Sequence, residues 1–283
     1  MIGEASDAGA NTFSREFKVK NLDYQLGASM KIALLITILL SAMSGCLHTA
    51  QAALTVDRSR LVFNEDEKSI SVNVTNRNTK DPYLAQGWIE DSNEKKITGL
   101  MMVLPPVQRV EAGAKTLVRI QGLPDIKTLP EDRESVFYFN LREIPPKSDK
   151  ANTLMLAMQT RMKVFYRPKT IKVDRMADVV PGTETLTLNR QGDGYVLTNP
   201  TPYHFTFVEG RPSINAKGIS DFEPVMVSPK NKIKLPVQAA KLGSTPVLMF
   251  VNDYGSQRLL SFTCNGTACK AGKVSIPDEK NAA

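Results

Sequence analysis

Cys264 and Cys269 are the residues best placed for covalent chemistry, because the spacer Asn265-Gly266-Thr267-Ala268 is a turn short enough to bring their sulfurs together. In an oxidising compartment this spacing predicts a disulfide that closes a small loop. The third cysteine, Cys46, lies in an N-terminal segment that reads as removed. Metal binding would need further ligands. Downstream of residue 52 there is a single histidine, His204, which reads as a surface or hydrogen-bonded imidazole beside a turn. The sequence contains no nucleophile elbow, Gly-rich phosphate loop, zinc-metalloprotease helix or paired Cys-x-x-Cys. Acid–base catalysis would therefore rest on carboxylates. The densest group, Glu131-Asp132-Arg133-Glu134, is a mixed-charge run that suits solvated or ion-paired side chains better than proton transfer. The expectation is a binding module: not an enzyme, with no catalytic residues, no metal and no cofactor.

The element that carries binding is the stretch Asn152 to Tyr166, NTLMLAMQTRMKVFY. Its even positions, Leu154, Leu156, Met158, Thr160, Met162, Val164 and Tyr166, form a mostly apolar face at the period of a β-strand. Its odd positions include Gln159, Arg161 and Lys163, but also apolar Met155, Ala157 and Phe165. A strand over the whole stretch would extend roughly 45–50 Å, more than one small sheet covers. Proteins normally blunt a long apolar edge because it invites pairing, so keeping one predicts that pairing with another chain is its task. The alternative is an ordinary core strand.

With 283 residues, 42% of them hydrophobic, the chain can fill one large or two ordinary domains. Its formal charge of +7 lies downstream of residue 52 and favours acidic partners. The Lys and Arg residues are dispersed, without a basic block or a nucleic-acid motif, which argues against nucleic-acid binding. Lys31, the apolar run Ile32 to Met43 and the small residues of Ala50-Gln51-Ala52 read as a secretory signal over residues 30–52, beginning at Met30 and cleaved before Ala53. Residues 1–29 then have no assigned role and read as a non-native or untranslated extension. Ser44-Gly45-Cys46 offers a rival lipoprotein site, but Met43 fits such a box poorly.

Short alternating segments follow: Leu54 to Phe63, Ser69 to Thr75, Tyr83 to Glu90, Gly99 to Val103, Lys115 to Ile120 and Val136 to Leu141. The only tryptophan, Trp88, is expected in the core. After Arg167-Pro168, Ile171 to Pro181 reads as a hinge. A second series then comprises Leu186 to Leu188, Tyr195 to Thr198, Phe205 to Phe207, Lys232 to Leu235, Pro246 to Val251 and Leu259 to Cys264. Two β-sandwich domains are predicted, over residues 53–170 and 171–283, the second with a polar tail.

Leu129 to Pro146, LPEDRESVFYFNLREIPP, resembles the signature segment of the PapD-like periplasmic pilus chaperones. Similar matches are DRSRLVF (Asp57 to Phe63), PYLAQGWIE (Pro82 to Glu90), PPVQRV (Pro105 to Val110), KVFYRP (Lys163 to Pro168), NPTPY (Asn199 to Tyr203) and VNDYG (Val251 to Gly255), so the likeness spans roughly residues 53–270. The resemblance implies an all-β chain of two immunoglobulin-like sandwiches joined at an angle, with a cleft between them. It further implies a periplasmic chaperone that binds, folds and caps pilus subunits by donating a β-strand and delivers them to an outer-membrane usher, with no small-molecule substrate. Strand donation by chaperones to pilins is a known mode of peptide recognition. By position, Leu154, Leu156 and Met158 match the residues that fill the subunit groove, and Arg60 and Lys163 match those that hold the subunit's C-terminal carboxylate. Glu134, Arg167 and Asp253 match an interdomain ion cluster. Lys163 has the opposite parity to the groove residues, so a twist or bulge between them is expected.

Two other classes compete. A pilin or adhesin subunit would share the sandwich, but Lys270 to Ala283 lacks the alternating apolar ending of a subunit strand. A carbohydrate-binding or hydrolytic sandwich is disfavoured by 7% aromatic content and the missing catalytic groups.

Overall fold

Apolar residues at alternate positions give each short segment one face to bury, and two sheets meet through those faces to make the first sandwich. The computed structural model describes residues 52–148 and 152–277; the expectations for residues 1–51 and for the tail beyond 277 lie outside them. The first sandwich contains β1 (Leu54–Val56), β2 (Arg60–Asn64), β3 (Ser69–Asn76), β4 (Tyr83–Glu90), β5 (Met101–Leu104), β6 (Val107–Val110), β7 (Lys115–Gly122), β8 (Ser135–Ile144) and β9 (Gln159–Arg167). One sheet has the order β1-β3-β7-β5, the other β2-β9-β8-β4-β6. Leu61, Phe63, Val72, Val74, Ile89, Ile120, Phe139 and Val164 fill the space between them. At Gly87 the sheets approach closely: a Cβ there would lie 2.7 Å from Val103 Cγ1 and 3.2 Å from Phe139.

Three expectations need correction. Leu54 to Phe63 is not one strand, because exposed Asp57-Arg58-Ser59 carries the chain across from one sheet to the other. β1 pairs with β3, whereas β2 pairs with β9. Trp88 is not in the core. Ala85, Gly87 and Ile89 take the inward positions of β4, so alternation turns Trp88 onto the outer face, half-buried. Finally, the strand expected from Asn152 starts only at Gln159.

The second sandwich contains β10 (Thr187–Gln191), β11 (Gly194–Asn199), β12 (Phe205–Arg211), β13 (Val225–Val227), β14 (Asn231–Gln238), β15 (Val247–Val251), β16 (Gln257–Asn265) and β17 (Ala268–Ser275). These form one continuous ladder, β13-β12-β15-β16-β17-β10-β11-β14, folded over a core that includes Leu188, Leu197, Leu235 and Phe262. The rings of Phe205, Phe207 and Phe250 meet there with centroids 5.8–6.2 Å apart. The strand β17 escapes a hydrophobicity reading because only Cys269 along it is fully buried.

Cys264 and Cys269 stand opposite each other in the β16–β17 pairing and are bonded. The small loop they close limits the chain entropy they remove. Replacing both by Ser is expected to leave the fold intact and lower its stability by about 2 kcal/mol, read by urea unfolding under non-reducing conditions. Unchanged stability would contradict this.

Candidate functional site

The strand β9 lies between β8 and β2, but these neighbours cover different lengths of it. Pairing with β8 runs from Ser135↔Tyr166 to Arg142↔Gln159, and Glu143 N adds a hydrogen bond to Met158 O at 3.0 Å. Pairing with β2 is parallel and runs only from Arg60↔Lys163 to Asn64↔Arg167. Upstream of Lys163, no described strand pairs with that edge of β9. Met162, Val164 and Tyr166 enter the first core. Leu154, Leu156 and Met158 have the same parity but lie beyond it, with exposures of 82%, 70% and 44%.

Neither ladder of β9 shifts register between Gln159 and Arg167. The bulge expected between the groove residues and Lys163 is therefore absent from the strand. None is needed, since the two sets use opposite faces.

On the odd face, the register pair Arg60↔Lys163 sets two cations side by side against the second sandwich. Arg60 Nη1 donates to the Val251 carbonyl at 2.6 Å, and its guanidinium carbon lies 5.9 Å from the Phe165 ring centroid. Its Nε is buried with no hydrogen-bond partner among the described residues. Lys163 Nζ donates to Thr206 Oγ1 at 3.1 Å. Burial lowers the pKa of Arg60 despite the attraction of Asp253 and Glu134. Burial, and then the charges of Arg60 and Arg161, lower that of Lys163. Two poorly compensated cations in a partly dry cleft favour the arrival of an anion.

Glu134, Arg167 and Asp253 are brought together at the junction. Arg167 Nε and Nη2 donate to Glu134 Oε1 at 2.9 and 2.7 Å, and Nη1 to Asp253 Oδ2 at 2.8 Å. The other oxygen of Glu134 accepts from the His204 backbone N–H at 2.7 Å and lies 3.2 Å from His204 Nδ1. Asp253 sits in the turn Asn252–Gly255, where Gly255 has φ +84° and a Cβ would come within 2.7 Å of Ser59 Oγ. Burial opposes the Arg167 charge, but Asp253 and Glu134 outweigh it and raise its pKa.

Several residues take a place here that the sequence did not assign them. His204 packs in this cluster, its ring 5.4 Å from that of Phe165. Farther along the same sheet face, Trp88 Nε1 donates to Glu90 Oε1 at 2.6 Å, and the Arg161 guanidinium lies 3.5 Å from the Tyr138 ring centroid. Lys96 and Arg142 flank Trp88 at 4.7 and 5.1 Å. Strict alternation through β4 and β8 was the signal that could have placed Trp88 and Tyr138 outside.

Comparison with known proteins agrees with this architecture. Residues 53–172 match the family described as "Pili and flagellar-assembly chaperone, PapD N-terminal domain", and residues 181–262 match "Pili assembly chaperone PapD, C-terminal domain". The chain belongs to the PapD-like pilus chaperone family. It is 47% identical over 238 residues to "Probable fimbrial chaperone YfcS" of Escherichia coli (strain K12), covering 84% of this chain and 92% of that protein. It is 48% identical over 225 residues to "Chaperone protein PapD" of Escherichia coli, covering 79% and 92%. Among solved structures it resembles the periplasmic chaperone SfaE, with a TM-score of 0.57 and 27% identity over 72% of this chain and 95% of that one. The fold alone is shared with the Salmonella enterica SafA pilin–SafB chaperone complex, at a TM-score of 0.63, 19% identity, and coverage of 77% and 99%.

The junction of this chaperone yields a stability test. Glu134→Ala would leave the buried Arg167 with one carboxylate partner and the His204 N–H without its acceptor. Breaking a buried pair from one side is expected to cost about 3–5 kcal/mol in urea unfolding. A cost below about 1 kcal/mol, typical of exposed pairs, would show that the cluster does not stabilise the junction.

Proposed function

We propose that this periplasmic chaperone captures pilus subunits through the free edge of β9 and the cation pair at its end, and passes them to an outer-membrane usher. The observation that carries the reading is the edge of β9 that no described strand covers, with three exposed apolar side chains just upstream of it and Arg60 and Lys163 at its end. A subunit lacking its last strand exposes unpaired backbone groups beside an apolar groove. Lending β9 satisfies both. Burying Leu154, Leu156 and Met158 would contribute roughly 5–9 kcal/mol gross, before ordering costs.

Charge fixes the direction of the incoming strand. A strand placed along β9 upstream of Lys163 continues the line of β2, so one of its ends meets Arg60 and Lys163. An N-terminal ammonium there would be repelled; a C-terminal carboxylate makes charge-assisted hydrogen bonds. The subunit strand therefore runs parallel to β9, as β2 does, and its carboxylate sets the register. The Glu134–Arg167–Asp253 cluster acts in this reading by fixing how the two sandwiches meet around the anchor. The competing idea that the chain is itself a pilin or adhesin subunit is set aside by its membership of a chaperone family.

Two experiments test the reading by subunit co-purification. Leu156→Glu is expected to abolish capture, because an unpaired charge in an apolar groove is very costly, while the melting temperature of the free protein stays unchanged. Normal capture by a folded variant would sink the strand-donation mechanism, and an unfolded variant would assign the residue to the chaperone's own core. Arg60→Ala and Lys163→Ala are each expected to weaken capture by about 2–5 kcal/mol. Unaltered yield from both would remove the carboxylate anchor.

A further inference from the structure

The anchoring cations belong to the first sandwich, yet both hold acceptors on the second. Lys163 Nζ bonds Thr206 Oγ1, and Arg60 Nη1 bonds the Val251 carbonyl. Thr206 is set apart from its strand neighbours: Phe205 and Phe207 point into the second core, so alternation turns Thr206 the other way, toward β9. It is 6% exposed although its side chain is polar. Its hydroxyl oxygen is occupied as an acceptor by Lys163, and among the described residues its proton has no acceptor.

We propose that Thr206 is the third ligand of the subunit's terminal carboxylate, a hydroxyl that holds the Lys163 ammonium in place and donates its own proton to the anion. The inference rests on the carboxylate-anchor reading above. The donor inventory fits a two-oxygen acceptor: Arg60 has a buried, unpartnered Nε–H, Lys163 has two protons beyond the one given to Thr206, and the hydroxyl has one. Two sides of the site come from adjacent parallel strands, and Thr206 closes the third from the other sandwich.

The position of Thr206 also connects the anchor to the ion cluster. His204, which binds Glu134, lies two residues before Thr206, and Asp253, which binds Arg167, lies two residues after Val251. The cluster thus fixes both second-sandwich groups that meet the cations. Recognition of a chain end becomes a property of the assembled pair of sandwiches.

Calorimetric titration of the full chain is the test, with a synthetic peptide of alternating apolar and polar residues as the probe, supplied once as the free acid and once as the C-terminal amide. The wild type is expected to prefer the acid. Thr206→Val is expected to lose about tenfold in acid affinity, the scale of one hydrogen bond to a charged group, while its amide affinity and melting temperature hold. Thr206→Ser should restore the preference. Equal losses for acid and amide would make Thr206 a packing residue and overturn the proposal, as would an acid preference that survives the loss of the hydroxyl. A wild type that does not distinguish acid from amide would instead overturn the anchor reading beneath it. Should the valine variant fail to fold, Thr206→Ala removes the same hydroxyl without added bulk and is judged by the same ratio.

Discussion

The position at which β2 begins constrains the rest of the molecule. Exposed Asp57-Arg58-Ser59 carries the chain between sheets, so β2 reaches β9 only at Lys163, and no described strand pairs with the edge upstream. Natural sheets usually protect such an edge with proline, charge, a bulge or a covering segment. Leu154 to Met162 contains no proline, and the paired part of β9 has no bulge. The upstream edge thus carries neither of these two protections, which suits a strand that another chain could join. The same start point places Arg60 beside Lys163, so the limit of the open edge and the site of the charge are one feature.

Buried cations on this strand divide into two electrostatic kinds. Arg167 and Lys163 are both on β9 and both largely withdrawn from water, yet their pKa values move in opposite directions. Arg167 has two carboxylates within 3 Å. Among the described residues Lys163 has a neutral hydroxyl as its partner, and the charges that act on it are those of the cations Arg60 and Arg161. The first arrangement is complete and fits a structural role. The second is less complete, and it is the arrangement on which the proposed carboxylate anchor rests.

The sequence carried local information well and non-local information poorly. Alternation placed β3 and β4 nearly to the residue, because side-chain period depends only on neighbours along the chain. The same rule, applied strictly, puts Trp88 outside, against the usual preference of tryptophan for the core. The strand β17 was missed because a largely exposed strand has little apolar signal to offer. What no periodicity could reveal was the unequal coverage of β9, which depends on where β2 and β8 end. Glu134, Arg167 and Asp253 are likewise far apart in the chain, and only family resemblance suggested that they meet. Thr206 and His204 had no sequence signal beyond their place after the NPTPY turn.

In the proposed mode, the two ends of one apolar pattern divide the work of folding from the work of binding. The even face of β9 is core from Met162 to Tyr166, and Leu154, Leu156 and Met158, of the same parity just upstream of the strand, are exposed, so in the proposed mode a single apolar pattern serves the chaperone at one end and its partner at the other. The odd face carries Lys163, the charge that ends the partner's strand in that mode. Because β8 is already paired with β9 as far as Gln159 and no described strand pairs with its other edge upstream of Lys163, capture in the proposed mode would add hydrogen bonds without breaking any described ladder of the chaperone. Nothing in the paired strand has to unfold first. The ordering cost then falls mainly on the subunit and on the short approach to β9, and a larger share of the burial energy remains for binding.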